Sequence, residues 1–531
     1  MNSANLGRSG QSRFFYIILL ILFCTALFLP SSFRRDLHGK DELRYAEVVR
    51  EMRVDHNWLV PRFGGEYYSE KPPVYFWILA LSQSLLGKST FSMVLPSAFS
   101  AILCVLLIYL FGIRILKEHY AFLAGLILAT CGLFFGLAIF LRMDMLLATL
   151  ATAASIAFYQ GYRQNDQRVK VRCYYSFYIL MAMAILIKGP TGFLMPFFTA
   201  IVFLALQGNW SEFKRIKLLR GLGIVLGVIA LWALALILTG QREYAYHLFV
   251  LQTLGRAVNS FAHKEPIYYY LKEFPISFLP WTFFLISSLW YAVRQREKLT
   301  DIDRYLLCWL IAPFILMSLF SGKLSIYLLP IFPPGALLVV RLFERVGEKE
   351  ASPSYVVIPS IITWLLLMTI IFVLPKQIQG IPLRSLMKPA FVPYVALGLL
   401  AVFGLIRKKF QWTPIIIAGM FFVLLSVLMW NVLPGVSAGY TKRPMAMELK
   451  RLHDRGSRHI VAYRYYQPES MGYYTGLMIK EIPGQALAGY LRTHRDAVVL
   501  SDESNLNQLQ SQYKMEKIYG VNGDILVKQK P

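Results

Sequence analysis

The sequence predicts an all-α membrane protein with a small α/β domain at its C-terminus, and three observations predict it. About thirteen apolar stretches of roughly 17–25 residues run along the chain, the length of helix that crosses a bilayer core. The short loops between them alternate: one set holds most of the lysine and arginine away from the termini, the other the acidic and aromatic motifs. From about residue 434 the composition changes to short strand-like runs and polar turns.

With 56% hydrophobic and only 16% charged residues, a 531-residue chain is not a soluble globular protein. The net charge of +25 does not point to nucleic acid, because the basic residues lie in short loops between apolar stretches and no basic soluble domain carries them. The five cysteines, Cys24, Cys104, Cys131, Cys173 and Cys308, sit in or beside apolar stretches without a CxxC pair, so neither a disulfide framework nor a thiolate metal site is implied.

Arg8 and Arg13 precede an apolar run at 14–33 that is longer than a signal-peptide core and lacks a cleavage pattern, hence a retained first span. The further spans are 91–113, 120–138, 145–162, 173–187, 190–207 and 219–239. After them come 276–293, 305–320, 325–343, 355–374, 390–406 and 413–433. With the N-terminus in the cytoplasm, the inside loops hold Arg114 and Lys117, then Arg163 to Arg172, then Lys214 to Arg220. Arg294 to Arg304, Arg341 to Lys349 and Arg407 to Lys409 complete a set in which every inside loop is basic. The apolar segment 73–87 is short, and counting it as a span would turn the basic loops outward; it reads as a helix along the outer interface.

The expected domains are a transmembrane body, 1–433, with exported loops at 34–90 and 240–275, and a soluble exported α/β domain, 434–531. Its strand-like runs are HIVAY, AVVLS and DILVK.

The first exported loop is the richest. DELRYAEVVREM (41–52) carries Leu43, Val48, Val49 and Met52 among charges, the pattern of an amphipathic surface helix. Asp41 and Arg44 project from one side of it; Asp41 could equally cap the helix and leave a solvated polar face. In EYYSEKPP (66–73), Lys71 precedes two prolines and is extended, while Pro73 can open a helix. Glu70 and Lys71 then stand beside Tyr67 and Tyr68, where the lysine can pair a phosphate and a tyrosine can bind a sugar, or both can simply anchor the interface.

LRMDMLL (141–147) puts Arg142 and Asp144 at the outer end of the membrane, where a carboxylate is costly unless paired or hydrated; it is functional or forms a structural pair with Arg142. The Lys188-Gly189-Pro190 turn and SGKLSIY (321–327) each bring one lysine to this face. Arg44, Lys71, Lys188 and Lys323 together would make a cationic bowl suited to phosphate, with Asp41, Lys71 and Asp144 in one pocket.

The second long loop holds His247, Arg256, His263 and Lys264. Glu70 with one or two of these histidines, His263 first, could bind a divalent ion such as zinc or magnesium; the histidines could as well hydrogen-bond within the loop. No phosphate-binding glycine loop is present, and no cytoplasmic domain is large enough for a nucleotide sugar. An activated donor would already sit in the membrane, on a lipid phosphate.

These blocks resemble the bacterial aminoarabinose (lipid A) transferase family, within the GT-C glycosyltransferases related to protein mannosyltransferases. DELRYAEVVREM, the WLVP of 58–61, YYSEKPP with Trp77, the Asp144 segment, the Lys188-Gly189 turn and GKLSIYLLP carry the likeness over about residues 35–335. The resemblance implies a GT-C fold with thirteen spans, surface helices in the first exported loop and a periplasmic C-terminal domain. It implies transfer of a sugar, 4-amino-4-deoxy-L-arabinose or a related amino sugar, from undecaprenyl phosphate to lipid A at the outer leaflet of the bacterial inner membrane. By position, Asp41 and Asp144 would line the reacting centre, and Arg44, Lys71 and Lys188 would hold the donor phosphate. Tyr45, Tyr68, Arg256, Lys323 and Tyr327 would contact sugar or acceptor, and Glu70 would bind a metal or support Lys71. The likeness departs in the 240–275 loop, so sugar, acceptor and metal stay open.

Two other readings remain. The same fold could serve a glycan or protein hydroxyl, or the chain could be a lipid-sugar transporter. Against the transporter stand the clustering of charge at one face and the lack of a repeat.

Overall fold

A computed structural model describes residues 3–254, 264–373, 382–407 and 409–530. The chain divides into two compact units, Met1–Ser31 with Val94–Val432, and Ser32–Met93 with Leu433–Pro531.

The first unit is helical. Along the chain run α1 (Ser3–Phe28), then, past α2 (Lys40–Val54) and α3 (Val74–Leu86) of the other unit, α4 (Thr90–Gly112), α5 (Glu118–Ala129) and α6 (Gly132–Ile139). Next come α7 (Met143–Arg163), α8 (Gln167–Lys188) and α9 (Thr191–Leu206). Among the described residues seven helices are long and apolar enough to cross a membrane, or nine if each of two bent pairs is one span. The chain is a multi-pass membrane protein.

Two of the expected spans are bent pairs of helices. Within 120–138, α5 and α6 meet at 66°; within 276–293, the helices Tyr269–Ser277 and Thr282–Arg294 meet at 117°. The breaks are sewn to each other: Trp281 Nε1 donates to Thr130 Oγ1 at 3.0 Å, and the Gly132 N–H donates to the Leu279 carbonyl at 2.8 Å. Backbone freed by a break in an apolar layer must find a partner inside the protein, and here each break supplies the other.

The two ends of this unit are chemically distinct. Asp144 and Arg163 stand at opposite ends of α7, about 29 Å apart at 1.5 Å per residue, close to a bilayer core. At the Arg163 end the basic loops join through ion pairs: Arg163 with Asp301 at 3.7 Å, Lys170 with Glu212 at 2.9 Å, Arg341 with Asp303 at 2.9 Å and Lys117 with Glu348 at 2.5 Å. The loops expected to share one side of the membrane thus share one end of the unit.

In the second unit, β1 (Arg62–Phe63) and β2 (Glu66–Tyr67) form a hairpin whose turn residues Gly64 and Gly65 have φ of 65° and 81°, the left-handed values a two-residue turn demands. The C-terminal sheet is built from β3 (Ile460–Ala462), β4 (Val498–Asp502), β5 (Met515–Val521) and β6 (Asp524–Gln529), in the order β3-β4-β6-β5. Only the β3–β4 pair is parallel. Side chains alternate across it: Val499, Ile525 and Val527 meet Leu487, Leu491 and Leu509 on one face, while Val498, Leu500 and Leu526 meet Met445, Ala446 and Leu449 on the other. Helices therefore cover both faces.

Helix α2 departs from the expected amphipathic surface helix. Glu42, Glu47 and Glu51 are all buried. Glu42 accepts two hydrogen bonds from Arg35 at 2.7 and 2.8 Å, and Glu47 two from Arg50 at 2.8 and 2.7 Å. Glu51 takes both N–H groups of the hairpin turn, Gly64 at 2.7 Å and Gly65 at 3.0 Å. Charges that read as a solvated face are internal struts, affordable because each has a full partner.

Candidate functional site

In the second unit the candidate residues gather around Arg44. Gly39, at φ 81°, opens α2, which places Asp41 in its first turn and Arg44 one turn later on the same side. The Arg44 guanidinium lies 3.7 Å from Asp41 and 3.4 Å from Glu70. The Gln467 amide oxygen accepts from its Nε at 3.2 Å and its Nη2 at 2.8 Å, the orientation its hydrogen bonding requires. The Tyr68 ring centre is 6.0 Å away, and the buried Tyr68 hydroxyl makes no hydrogen bond among the described residues. Lys71, before Pro72 and Pro73, is half-buried.

Arg44 differs from its neighbours in one respect that matters. Arg35 and Arg50 are locked to carboxylates by paired bonds of 2.7–2.8 Å. Arg44, with only 12% of its side chain exposed, touches its two carboxylates at 3.4 and 3.7 Å and is held closely by a neutral amide. Its charge is fixed in position and weakly compensated, the state in which a guanidinium best takes an incoming anion.

In the first unit, Asp144 and Lys188 form a pair. Asp144 follows Arg142 and Met143 at the start of α7, and Lys188 ends α8 before Gly189 at φ 100°. The lysine Nζ donates to Asp144 Oδ1, and only 9% of the lysine and 3% of the aspartate side chain is exposed. Tyr327 caps the pair, its ring centre 4.5 Å from Nζ. The backbone of Arg142 is pinned to Ser97 Oγ by bonds of 3.0 and 3.1 Å, which fixes where α7 begins. The partner the structure gives Asp144 is thus Lys188, where the sequence had offered Arg142.

The remaining candidates are placed differently. Tyr45 packs edge-on against Tyr75 and Phe76, with ring centres at 6.4 and 5.5 Å, in the buried seam between α2 and α3. Lys323 is buried and donates to the Glu265 carbonyl at 2.8 Å, holding the strand-like bridge of Lys264 with Gly322. Arg256 and His263 lie outside the described residues. Among the described residues no three His, Cys, Asp or Glu side chains come together as for a metal, and Glu70 is paired with Arg44.

Sequence reading missed Gln467. It sits in YRYYQPES with φ of 54°, and Arg464 beside it has φ of 46°. Two non-glycine residues in the left-handed region within four positions mark a segment whose shape is imposed from outside, and Gln467 spends that strain on Arg44.

Comparison with known proteins follows the same lines. Residues 70–234 match the family of dolichyl-phosphate-mannose-protein mannosyltransferases. An undecaprenyl phosphate-α-4-amino-4-deoxy-L-arabinose arabinosyl transferase of Erwinia tasmaniensis is 31% identical over 61% of this chain, and the match spans 59% of that relative's length. The enzyme of the same description from Edwardsiella ictaluri is 28% identical over 87% of this chain and 83% of its own. Among solved structures, ArnT from Cupriavidus metallidurans bound to undecaprenyl phosphate superposes with a TM-score of 0.81 at 19% identity, over 97% of this chain and 99% of that one. The Archaeoglobus fulgidus oligosaccharyltransferase follows at 0.54 and 12% identity, over 93% and 69%. The shared fold is that of these membrane proteins.

Proposed function

We propose that this chain, a relative of the undecaprenyl phosphate-aminoarabinose arabinosyl transferases with their GT-C fold, is itself a glycosyltransferase. It moves 4-amino-4-deoxy-L-arabinose or a related amino sugar from undecaprenyl phosphate to a phosphate of lipid A. The reaction takes place at the periplasmic face of the bacterial inner membrane, on thirteen spans with the N-terminus cytoplasmic and the C-terminal α/β domain periplasmic.

The observation that carries this reading is the buried Arg44 guanidinium, held at 3.4 and 3.7 Å from its two carboxylates and facing the Tyr68 ring. With Lys71 it grips the donor phosphate, and its charge stabilises that phosphate as the sugar–oxygen bond breaks, since a fixed cation in a water-poor site needs no reorganisation. Tyr68 meets the sugar, and Asp41 orients it. A lipid A phosphate is already an anionic nucleophile and needs no base. Asp144, with one oxygen taken by Lys188, suits a role in orientation and charge balance better than proton removal.

The reading is tested by lipid A mass spectra from cells with and without the protein. A pentosamine-sized increment that depends on the protein is expected; unchanged lipid A rejects the acceptor and the sugar together. The match to protein mannosyltransferases over 70–234 favours a hydroxyl acceptor as the second reading, and it predicts unchanged lipid A with a new glycosylated product.

A further inference from the structure

The parallel pairing of β3 with β4 brings two basic segments to one edge of the C-terminal sheet. Ile460 faces Val498 across the pair, and the Val498 N–H donates to the His459 carbonyl at 2.9 Å, so the residues just before each strand are neighbours. The segment before β3 carries Arg455, Arg458 and His459, and the one before β4 carries Arg492, His494 and Arg495. All four arginines are exposed and make no ion pair among the described residues. Strand β6 ends at the same edge, where Lys528 faces Val498, and β5 begins there after Lys514. Asp454, Asp496 and Glu516 are the carboxylates beside these cations.

The opposite edge is built differently. There Asp524 takes Lys442 at 2.5 Å and Glu503 takes Lys517 at 2.6 Å, so its charges are matched in pairs. Gln467, which holds Arg44, follows β3 and belongs to that matched edge. The basic edge therefore lies beyond it by the length of β4, about 16 Å at 3.3 Å per residue. Between the arginines stands a stack of rings: His494 has Tyr490 at 4.4 Å and 23° on one side and His459 at 4.0 Å on the other. The His494 Nδ1 lies 2.8 Å from Thr493 Oγ1 and 3.1 Å from the Tyr490 carbonyl, which fixes the ring. None of the exposed large apolar side chains among the described residues lies in the two segments, so this edge is not made to enter a bilayer.

We propose that the edge binds an anionic oligosaccharide, with its phosphate or carboxylate groups on Arg458 and Arg495 and a sugar ring on the His459–His494 stack. Arginine forks match planar and tetrahedral anions, and the negative face of an aromatic ring receives the C–H face of a sugar. Assigning that saccharide to the glycan of the acceptor glycolipid rests on the transfer reading; a free anionic saccharide offers the same chemistry.

The test is calorimetric titration of the full-length protein in neutral detergent. The probes are phosphorylated core oligosaccharide released from lipopolysaccharide, neutral maltoheptaose and polyglutamate. Wild type should bind the core oligosaccharide more tightly than either of the others. Arg458→Gln with Arg495→Gln should weaken that binding about tenfold, the weight of two exposed charge pairs, with an unchanged unfolding midpoint. Arg458→Lys with Arg495→Lys should keep most of it, and His494→Ala should weaken the saccharide more than polyglutamate. Tighter binding of intact lipopolysaccharide than of the released core identifies the acceptor, and equal binding identifies a free saccharide. Undiminished binding by the folded glutamine variant, or equal affinity for maltoheptaose or polyglutamate, overturns the proposal. A protein that modifies lipid A yet binds no core oligosaccharide refutes this surface alone; one that binds it and leaves lipid A unmodified refutes the transfer reading alone.

Discussion

Removing Asp144 should destabilise the protein by several kcal/mol, and removing Lys188 should do the same. Both are nearly excluded from solvent, and each is the other's partner. At an effective dielectric of about 20, opposite charges some 4 Å apart attract by about 4 kcal/mol, and deleting one member of a buried pair costs roughly 3–5 kcal/mol because the other charge is stranded. Asp144→Leu and Lys188→Met should therefore each lower stability by about that amount in a reversible unfolding titration in mixed micelles. The double variant should recover most of the loss, since two apolar side chains strand nothing. Turnover separates structure from chemistry: if the pair serves the reaction, activity stays lost in all three variants while stability returns in the double. Single variants within about 1 kcal/mol of wild type would refute the premise that these charges are energetically coupled.

Four further outcomes follow from the geometry. Lys71→Ala should abolish transfer while the protein still inserts and keeps its unfolding midpoint; turnover near wild type in a donor assay would remove it from the site. Gln467→Gly should relieve about 1 kcal/mol of left-handed strain yet raise KM for the lipid donor, because Arg44 loses its closest partner; an unchanged KM would make Gln467 merely structural. A Cβ at Gly472 would overlap the Glu47 carboxylate, which Arg50 holds in place, so Gly472→Ala should cost about 1–3 kcal/mol by thermal unfolding, and a neutral result would mean that the carboxylate yields. Burial pushes the Glu47 carboxyl from its ordinary 4.5 up to about 8, so the folded state holds a proton that the unfolded chain has released. Stability should be fullest below about pH 4.5 and decline as pH rises toward about 8, and Glu47→Gln should flatten that slope in a pH series of unfolding midpoints.

What was legible in the sequence is what depends on length and local spacing. The loops that share an end could be sorted by their lysines and arginines because charge at a span end is a local property, and Asp41 and Arg44 could be put together because three residues make about one helical turn. The Asp144–Lys188 pair was legible in principle. Helices α7 and α8 pack as a hairpin around Asp166, and positions 144 and 188 lie 22 residues on either side of it, so antiparallel arms bring them level. The bends at Thr130 and at Leu279–Trp281 left no mark in hydropathy, which measures transfer from water and is blind to direction. The burial of Glu42, Glu47 and Glu51 was hidden for a related reason: a carboxyl group supplied with donors can lie inside, even where, as at Glu47, burial outweighs them and raises its proton affinity, and the donors come from Arg35, Arg50 and a glycine turn. Gln467 was out of reach, because its partner lies more than four hundred residues earlier.

The contrast among the arginines around α2 ties these observations to mechanism. A phosphate must be able to displace whatever holds the cation beforehand, and the displacement costs least where the resting contacts are long. Paired bonds of 2.7–2.8 Å commit Arg35 and Arg50 to the fold, and substituting them would be felt first as lost stability. Arg44 keeps its carboxylates at 3.4 and 3.7 Å, near enough to offset its charge while the site is empty and far enough to release it. Gln467 fixes the direction of the guanidinium without neutralising it. A neutral anchor with distant counter-charges is the arrangement that lets a protein bury a cation before its anionic ligand arrives; the segment around α2 supplies the cation and the locked pairs, and Gln467 supplies the anchor from the C-terminal domain.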